Sequence, residues 1–409
     1  MQPCFRRGSF LLPNDSVNGR KWSVIACDQY TSQKEYWDKV EEITKDVPST
    51  YHLIYPEIYL GETSNRIERI HLAMDRYLKE NILKEKVKDG FVLVERKTIS
   101  GNRIGVLGIV DLEAYDFTVG NTKPIRATEG TIRQRIPPRL KIRRNAPLEL
   151  SHVMVLIDDP ENTLIEQLYK EKDHYSVLYD FDLMMDGGHD KGYAITGTKA
   201  QEIEEKIFAM QKERELFLAV GDGNHSLATA KACWEEIKKD LSLEQQKEHP
   251  ARYAMVEMVN LHSPALIFEP IHRLLFQVDL WDLYESFKDY CDEEGIVLAP
   301  GKEIVFYQNG EEKSVSLIKK DNRLPVDILQ TVIDRYLSNH QEVKIDYIHG
   351  EEAMMALLKE PSNGGIFLDR IEKSSLFPAI VAGGVLPRKT FSMGEADEKR
   401  FYLEARKVK

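Results

Sequence analysis

The residues best suited to chemistry in this sequence lie at positions 217–226. They read FLAVGDGNHS, in which an apolar run of strand length is followed by two glycines. Residues 227–238 then have the composition of an amphipathic helix. The pattern predicts a buried strand, a tight glycine turn and a helix that Asn224 or Ser226 caps.

A helix that begins at such a turn can bind an anion. Its first backbone N–H groups have no partner within the helix and lie at the positive end of the helix dipole. We expect a phosphate or a carboxylate to bind at Gly221, Gly223, Asn224 and Ser226. Asp222 and His225 add a carboxylate and a titratable imidazole to the same turn. The alternative is ordinary turn chemistry, with His225 no more than a residue of the helix start.

A second feature is the basic segment 123–144, which holds eight basic residues and one acid, Glu129. In a chain of net charge -11, such a segment would concentrate small anions and bind phosphate, with Arg126 and Arg139 as candidates. Glu129 could act as a base, hold Mg²⁺ or orient an ammonium group. The alternative is that these charges form structural ion pairs.

His272 and Arg273 follow a predicted strand, where they could form a clamp for an anion. Alternatively, Arg273 pairs with Glu269. Asp28 follows another short strand, and we expect it to lie in a surface loop. The histidines do not recur at metal-ligand spacing, and the GxSxG, P-loop and GxGxxG patterns are absent from the sequence. We therefore expect neither zinc nor haem.

The composition is that of a soluble globular protein with two or three domains or subdomains: 409 residues, 42% hydrophobic and 30% charged. The acidic balance argues against nucleic acid and anionic membranes as partners. The four cysteines are scattered, and no apolar run is long enough to span a bilayer. The first residues lack the apolar core of a signal peptide, so we expect a cytoplasmic protein.

Strands and helices occur without a strict βαβ order, which predicts an α+β fold. We predict a main α+β domain over residues 1–274 that carries the glycine turn. A second, smaller α+β unit is predicted over residues 275–362, and a C-terminal segment over residues 363–409 is predicted to return to the main domain.

Four ordered segments resemble elements of the DUF1015 family. GDGNHSLATA at residues 221–230 resembles its ADGHHRYETA signature, and EPIHRL at 269–274 resembles its P-T-H-R-L element. RATEGT at 126–131 resembles its R-P-H-E-x-T element, and Arg139 and Arg143 follow as the family's downstream arginines do. LPRKTF at 386–391 resembles its P-x-K-S-T-x-F element, which adds Lys389 as a phosphate-binding candidate. The resemblance covers essentially the whole chain.

The chain departs from this pattern at three positions. Asn224 stands where the family has the first His of its signature, Ser226 where it has Arg, and Thr128 where it has the His before Glu. A role that needed one of those side chains is therefore in doubt. The positions that match are Asp222, His225, Glu129, His272, Arg273 and Lys389.

The turn of this family is similar to the phosphate-binding turn of the ParB/sulfiredoxin-like superfamily, which includes partition CTPases, sulfiredoxins and free-serine kinases. The resemblance implies a ParB/sulfiredoxin-like mixed-sheet core and, for function, phosphoryl transfer involving serine or phosphoserine. Sulfiredoxin chemistry needs a cysteine in the turn, where this chain has Asn224 and His225. We therefore set sulfiredoxin activity aside.

The leading hypothesis is a phosphoryl-transfer enzyme on a small anionic or phosphorylated metabolite, as a serine kinase or phosphoserine phosphatase. Asp222 or Glu129 would hold Mg²⁺ or serve as the base, and His225 or His272 would carry the proton. ATP or ADP would be the nucleotide. The competing hypothesis is a non-catalytic sensor of a nucleotide or phosphometabolite, which Ser226 in place of Arg favours. The sequence leaves the oligomeric state open.

Overall fold

The computed structural model describes residues 2–61 and 65–409, which fold into two compact α+β units. Unit 1 comprises Met1–Ala127, Thr131–Leu266 and Gly394–Lys409, and unit 2 comprises Thr128–Gly130 and Ile267–Met393. These limits differ from the boundaries that the sequence predicts at 274 and 362. The strand Phe268–Phe276 crosses the first predicted boundary, and residues 363–393 belong to unit 2.

The strands are given in chain order. They are β1 (Phe5–Arg6), β2 (Gly8–Pro13), β3 (Val24–Ile25), β4 (Leu83–Thr98), β5 (Gly101–Asp111), β6 (Tyr115–Asp116), β7 (Ile125–Ala127), β8 (Leu148–Leu150), β9 (Met154–Ile157), β10 (Ser176–Asp182), β11 (His189–Ile195), β12 (Leu218–Asp222), β13 (Tyr253–Asn260), β14 (Phe268–Phe276), β15 (Val297–Gln308), β16 (Glu311–Ile318), β17 (Lys344–His349), β18 (Asn363–Leu368), β19 (Phe391–Met393), β20 (Phe401–Tyr402) and β21 (Ala405–Lys407).

The helices follow in the same order. They are α1 (Gly19–Trp22), α2 (Lys34–Thr44), α3 (Arg66–Lys79), α4 (Ile136–Arg143), α5 (Ile165–Lys170), α6 (Gly197–Lys212), α7 (Asn224–Ile237), α8 (Leu243–Glu248), α9 (Leu280–Glu293), α10 (Pro325–Asn339), α11 (Glu351–Leu357) and α12 (Lys373–Gly383). Within residues 2–61 and 65–409, every helix falls short of the length and apolarity that a bilayer crossing requires.

Unit 1 is built on a mixed sheet with the strand order β6-β7-β12-β9-β13-β5-β4-β2-β21-β8. Strand β12, which leads into the glycine turn, lies inside this sheet between parallel β7 and antiparallel β9. Its first residues, Leu218, Ala219 and Val220, are fully buried. An interior strand of this kind is covered on both faces, which explains its continuous apolar run.

Two hydrophobic clusters support this sheet. One packs α6 and α7 against the strands and includes Phe91, Phe217 and Trp234. The other gathers α2, α3 and the segment around residue 55, with Trp22, Trp37 and Tyr77 fully buried. The C-terminal segment contributes Phe401 and Leu403 to the second cluster. Residues distant in the sequence are thereby held in one unit.

Unit 2 has its own sheet, with the order β16-β15-β18-β14-β17 and with β19 paired to β14. The hairpin β15–β16 turns at Asn309 and Gly310, both of which have positive φ. Helices α9 and α10 pack against each other, and their side chains Phe287 and Ile328 are fully buried.

Candidate functional site

The glycine turn connects the buried strand β12 directly to helix α7. Gly223 is the N-cap residue with a φ of 77°, and no side chain caps the helix. The prediction that Asn224 or Ser226 caps it is therefore wrong, since both lie within the helix. A Cβ atom on Gly223 would lie 3.0 Å from Val153 Cα. The positive φ and this close approach both require glycine.

The N-cap residue Gly223 thus offers no capping side chain to the first turn of α7, where the positive end of the helix dipole lies. Asp222 Oδ1 accepts the Gly223 N–H at 2.8 Å, and Lys399 Nζ lies 3.6 Å from Asp222 Oδ2. The Asn224 side chain donates to the Val220 carbonyl at 3.4 Å. The turn is held by its own side chains, with the Asp222 carboxylate beside the helix start.

His225 is a neutral imidazole. Burial, together with the nearby guanidinium groups of Arg139 and Arg135, lowers the pKa of His225 to about 4. Its Nε2 atom accepts the Ile132 N–H at 3.2 Å, so the proton of the neutral ring is on Nδ1. Because the ring is neutral and its Nε2 accepts this bond, His225 has no proton at Nε2 to give to a ligand.

A second histidine, His152, lies beside the helix start. It immediately precedes Val153 and β9, the strand that pairs with β12, and it is only 4% exposed. Its Nε2 atom lies 3.4 Å from Ser226 Oγ and 3.5 Å from Asp28 Oδ2. Strand pairing therefore brings an imidazole, a carboxylate and the first turn of α7 together.

The hydrogen bonds around His152 favour its protonated form. Tyr402 donates its hydroxyl proton to Cys27 Sγ at 3.0 Å, so the Tyr402 oxygen accepts from His152 Nδ1 at 2.6 Å. The Nε2 atom faces the Asp28 carboxylate. Each ring nitrogen thus has an oxygen partner, and an imidazolium satisfies this arrangement by donating from both nitrogens.

The electrostatics agree with this assignment. Burial works against the charged form, but Asp28, and then Asp222 and Glu57, outweigh it and raise the pKa of His152. Burial likewise opposes ionisation of Asp28, yet His152 holds the pKa of that carboxyl well below its usual range. His152 and Asp28 therefore form an ion pair beside the helix start.

The basic segment is largely committed to ion pairs. Arg139 pairs with Glu57 and donates to the Arg135 carbonyl at 2.7 Å. Arg126 is buried, where it pairs with Glu215 at 2.8 Å and donates to the Lys123 carbonyl. Further pairs join Arg143 to Glu149 and Arg144 to Glu236. Arg126 therefore has the structural ion-pair role that the sequence analysis gave as the alternative to phosphate binding. Arg139 also forms an ion pair, but it lies beside the helix start.

A cavity of about 140 Å³ adjoins the site in unit 1. Its polar lining includes Cys27, Glu57, Arg139, His152, Ser226 and Tyr402. Its apolar lining includes Leu53, Ile54, Leu60, Met74, Leu148 and Ala230. The predicted residues Ser226 and Arg139 and the unpredicted His152 therefore share one cavity.

The structure places the other predicted residues in unit 2. Glu129 forms a bridge with Leu386. His272 is buried in β14, where its Nδ1 accepts the Leu368 N–H at 3.2 Å and burial lowers its pKa. The contact with Leu368 favours a structural role for His272.

Arg273 is fully buried in the same unit, where it donates to Gln330 Oε1 at 3.2 Å and to the Lys389 carbonyl at 3.0 Å. It does not pair with Glu269, which binds Arg370 instead. The side chain of Arg273 therefore connects β14 to the backbone of Lys389, a residue with a φ of 57°.

Within residues 2–61 and 65–409, no three His, Cys, Asp or Glu side chains come together as a metal-binding group. Mg²⁺ commonly binds through one or two carboxylates plus substrate phosphates and waters. Asp222 and Asp28, which both act on the charge of His152, are of the right type for that mode. A magnesium ion here would therefore depend on a phosphate ligand for much of its coordination.

Sequence reasoning missed His152 and Tyr402. Asp28 lies in a turn after β3, as expected, and its carboxylate also pairs with His152. His152 stands alone before a short strand, and Tyr402 lies 250 residues further along the chain. The signal that could have found His152 is the pairing of its strand with the strand that precedes the glycine turn.

Several solved structures are distantly similar to the chain. One is a conserved hypothetical protein from Pyrococcus furiosus, with 10% identity and a TM-score of 0.35, covering 74% of this chain and 94% of that one. Another is a mutant free serine kinase in complex with AMP, with 9% identity and a TM-score of 0.40, covering 73% and 91%. A third is SbnI with a C-terminal truncation from Staphylococcus aureus, with 10% identity and a TM-score of 0.36, covering 70% and 82%.

No curated protein sequence matches the chain significantly. The family described as "Protein of unknown function (DUF1015)" matches residues 11–338, which is most of the chain. The match includes the glycine turn, the basic segment and the His-Arg pair that carried the resemblance. The chain therefore belongs to the DUF1015 family.

Proposed function

We propose that unit 1 is a phosphoryl-transfer enzyme acting on a small metabolite, with the reacting phosphate bound at the start of α7. One observation carries the proposal: His152 Nε2 lies 3.4 Å from Ser226 Oγ in the first turn of α7, and Asp28 raises the pKa of this imidazole against the effect of burial. The positive end of the helix dipole and an imidazole that favours its charged form together suit an anionic phosphate.

The residues around the helix start would bind the phosphate, donate a proton and accept a proton. The N–H groups of Asn224, His225 and Ser226 would bind phosphoryl oxygens, and Arg139 would add a second positive charge. His152 would hold a proton at Nε2 for the leaving oxygen. Asp222, beside the helix start, would accept the proton of the attacking hydroxyl. This assignment gives His152 the proton-carrying role that the sequence suggested for His225 or His272.

With Asp222 as the base, Asp28 would contribute a carboxylate to a Mg²⁺ ion that enters with the phosphates of ATP or ADP, and the ion would supply charge neutralisation. The proposal includes a ParB/sulfiredoxin-like core for unit 1, a cytoplasmic location and serine or phosphoserine as the first substrates to test. The mixed parallel and antiparallel sheet around β12 supports such a core. The acidic net charge supports a small-molecule substrate over nucleic acid.

The test is ³¹P NMR of the purified protein with Mg²⁺. One tube contains ATP or ADP with serine, and a second contains phosphoserine alone. We expect a new phosphomonoester resonance in the first tube or inorganic phosphate in the second. Asp222→Asn should abolish either signal. Gly130→Ala, which places a Cβ where nothing lies within 4 Å, is the control that should retain it.

A non-catalytic phosphate sensor is the second candidate, and the Ser226 hydroxyl in place of the family's arginine favours it. A sensor would broaden or shift the nucleotide resonances without forming product. It would also keep its affinity when Asp222 is replaced by Asn, because a candidate base is not needed for binding. Unchanged spectra in both tubes, with neither product nor broadening, would contradict both candidates.

A further inference from the structure

We propose that the ligand of this site carries a small apolar group, no larger than a benzene ring, next to the group that α7 binds. The ligand class is then small alkyl or aryl phosphates and the corresponding alcohols. This inference rests on the proposed function, because it assumes that the phosphate lies at the turn. It specifies the substrate, for which serine was the starting expectation.

The cavity beside the turn has two chemical parts. Ser226, His152 and Arg139 contribute polar groups at the helix start. The remaining lining is mainly aliphatic: Leu53, Ile54, Met74, Leu148 and Ala230. A ligand that places its phosphate on the polar groups therefore has an aliphatic wall within its reach.

Exposure varies along the lining of the cavity. The side chains of Glu57 and Arg139 are 19% and 14% exposed, and Leu60 is also half-buried. The residues Leu53 and Ala230 are each only 2% exposed. A tail that contacts Leu53 and Ala230 is therefore shielded from water.

The size of the cavity sets the size of the tail. A wholly apolar cavity of roughly 150 Å³ in another protein binds benzene. This cavity measures about 140 Å³, and that volume includes its polar part. The serine side chain, with one carbon and one hydroxyl, would leave most of the aliphatic wall without contact. An alkyl group of a few carbons, smaller than benzene, would fill the apolar part.

The experiment measures dissociation constants by isothermal titration calorimetry. The probes are inorganic phosphate, methyl, ethyl, butyl, hexyl and phenyl phosphate. Each buried methylene should tighten binding about fourfold until the cavity is full, after which affinity should level off. Equal affinity for methyl and hexyl phosphate would overturn the inference and leave the proposed function intact. Failure of every phosphate to bind would overturn both.

A cavity-filling variant locates the effect. Ala230→Leu adds a side chain to the lining, so it should bind hexyl phosphate no more tightly than methyl phosphate. Ala232→Leu, on the same helix but outside the lining, is the matched control and should keep the chain-length dependence. Leu60→Trp is the second filling variant if Ala230→Leu does not fold. Unaltered chain-length dependence in a folded filling variant would also overturn the inference.

Discussion

The contacts of His152 set what it can offer a ligand. Asp28 and Tyr402 lie at its two ring nitrogens, and Asp28 raises the pKa of the imidazole against the effect of burial. Because the charge of Asp28 offsets that of the imidazolium, the pair contributes a positioned donor rather than a net charge. The helix start and Arg139 supply the positive potential of the proposed anion site.

The first prediction concerns the pH dependence of this pair. Replacing His152 by Gln should lower the free energy of unfolding by about 1–3 kcal/mol, because Asp28 and Tyr402 lose their buried partner. His152 has a raised pKa in the folded protein. Its contribution is therefore fully present below the unfolded pKa of about 6.5 and is lost as pH rises through the folded pKa.

Asp28 behaves in the opposite sense, since its folded pKa is depressed. Its contribution is present above the unfolded pKa of about 3.9 and is lost as pH falls through the folded value. Urea unfolding of wild type and His152→Gln should thus differ most between roughly pH 4 and 6.5. A difference that grows from pH 7 to pH 9 would contradict the ion pair.

The second prediction concerns His225. Its pKa is lowered by burial first and then by the Arg139 and Arg135 guanidinium groups. Arg139→Gln should therefore move the pKa of His225 upward from about 4, toward but not up to the ordinary histidine value. NMR titration of the His225 ring measures this directly. An unchanged or lower pKa would show that Arg139 does not act on this ring.

How much of the site the sequence predicts depends on the distance in sequence between its members. The residues from Gly221 to Ser226 are contiguous, so the turn and its anion-binding chemistry follow from local pattern alone. His152, Asp28 and Tyr402 reach the site through pairing of β9 with β12 and of β20 with β3. Local periodicity carries no information on which strands pair. The sequence therefore does not predict that His152, Asp28 and Tyr402 lie together.

At the scale of elements, the site depends on the close packing of the β12–α7 turn against the segment that leads into β9. Gly223 meets Val153 there, at a distance that leaves no room for a side chain without movement. The sequence predicts the strand, turn and helix correctly. It misplaces the cap, because Asn and Ser are frequent N-caps and the φ of Gly223 is not encoded in a local pattern.

The third prediction follows from this packing. Gly223→Ala should destabilise the protein by about 1–3 kcal/mol, since alanine at this positive φ is strained and its Cβ meets Val153. Chemical denaturation measures the loss. Gly130→Ala, at an ordinary φ with open space around it, should change stability by less than about 0.5 kcal/mol. Equal effects of the two substitutions would refute the steric argument.

At the scale of the whole molecule, the family's sequence elements divide between two units. The glycine turn and Arg139 lie in unit 1, whereas Glu129, His272, Arg273 and Lys389 lie in unit 2. The irregular order of strands and helices is enough to predict the α+β class. The limits of the two units cannot be predicted in this way, because residues 128–130 belong to unit 2 and residues 394–409 belong to unit 1, far from the rest of each unit in the sequence.

The fourth prediction separates the roles of two arginines. Arg139→Gln should weaken phosphate binding about tenfold, as expected for the loss of one charge-assisted hydrogen bond. Arg273→Gln should leave phosphate affinity unchanged and lower stability by about 2–4 kcal/mol, because it leaves buried carbonyls without donors. Calorimetric titration and urea unfolding of both variants provide the two readouts. Loss of phosphate affinity in folded Arg273→Gln would transfer an anion-binding role to unit 2.

The most direct test of the central claim is an amide NMR titration of the ¹⁵N-labelled, deuterated protein with inorganic phosphate and with ADP. We predict that the N–H resonances of Asn224, His225 and Ser226 shift with the added ligand. The His152 ring resonances should shift together with them, since His152 Nε2 lies 3.4 Å from Ser226 Oγ. Saturable binding that leaves these resonances in place would contradict the account, because the phosphate would then bind elsewhere.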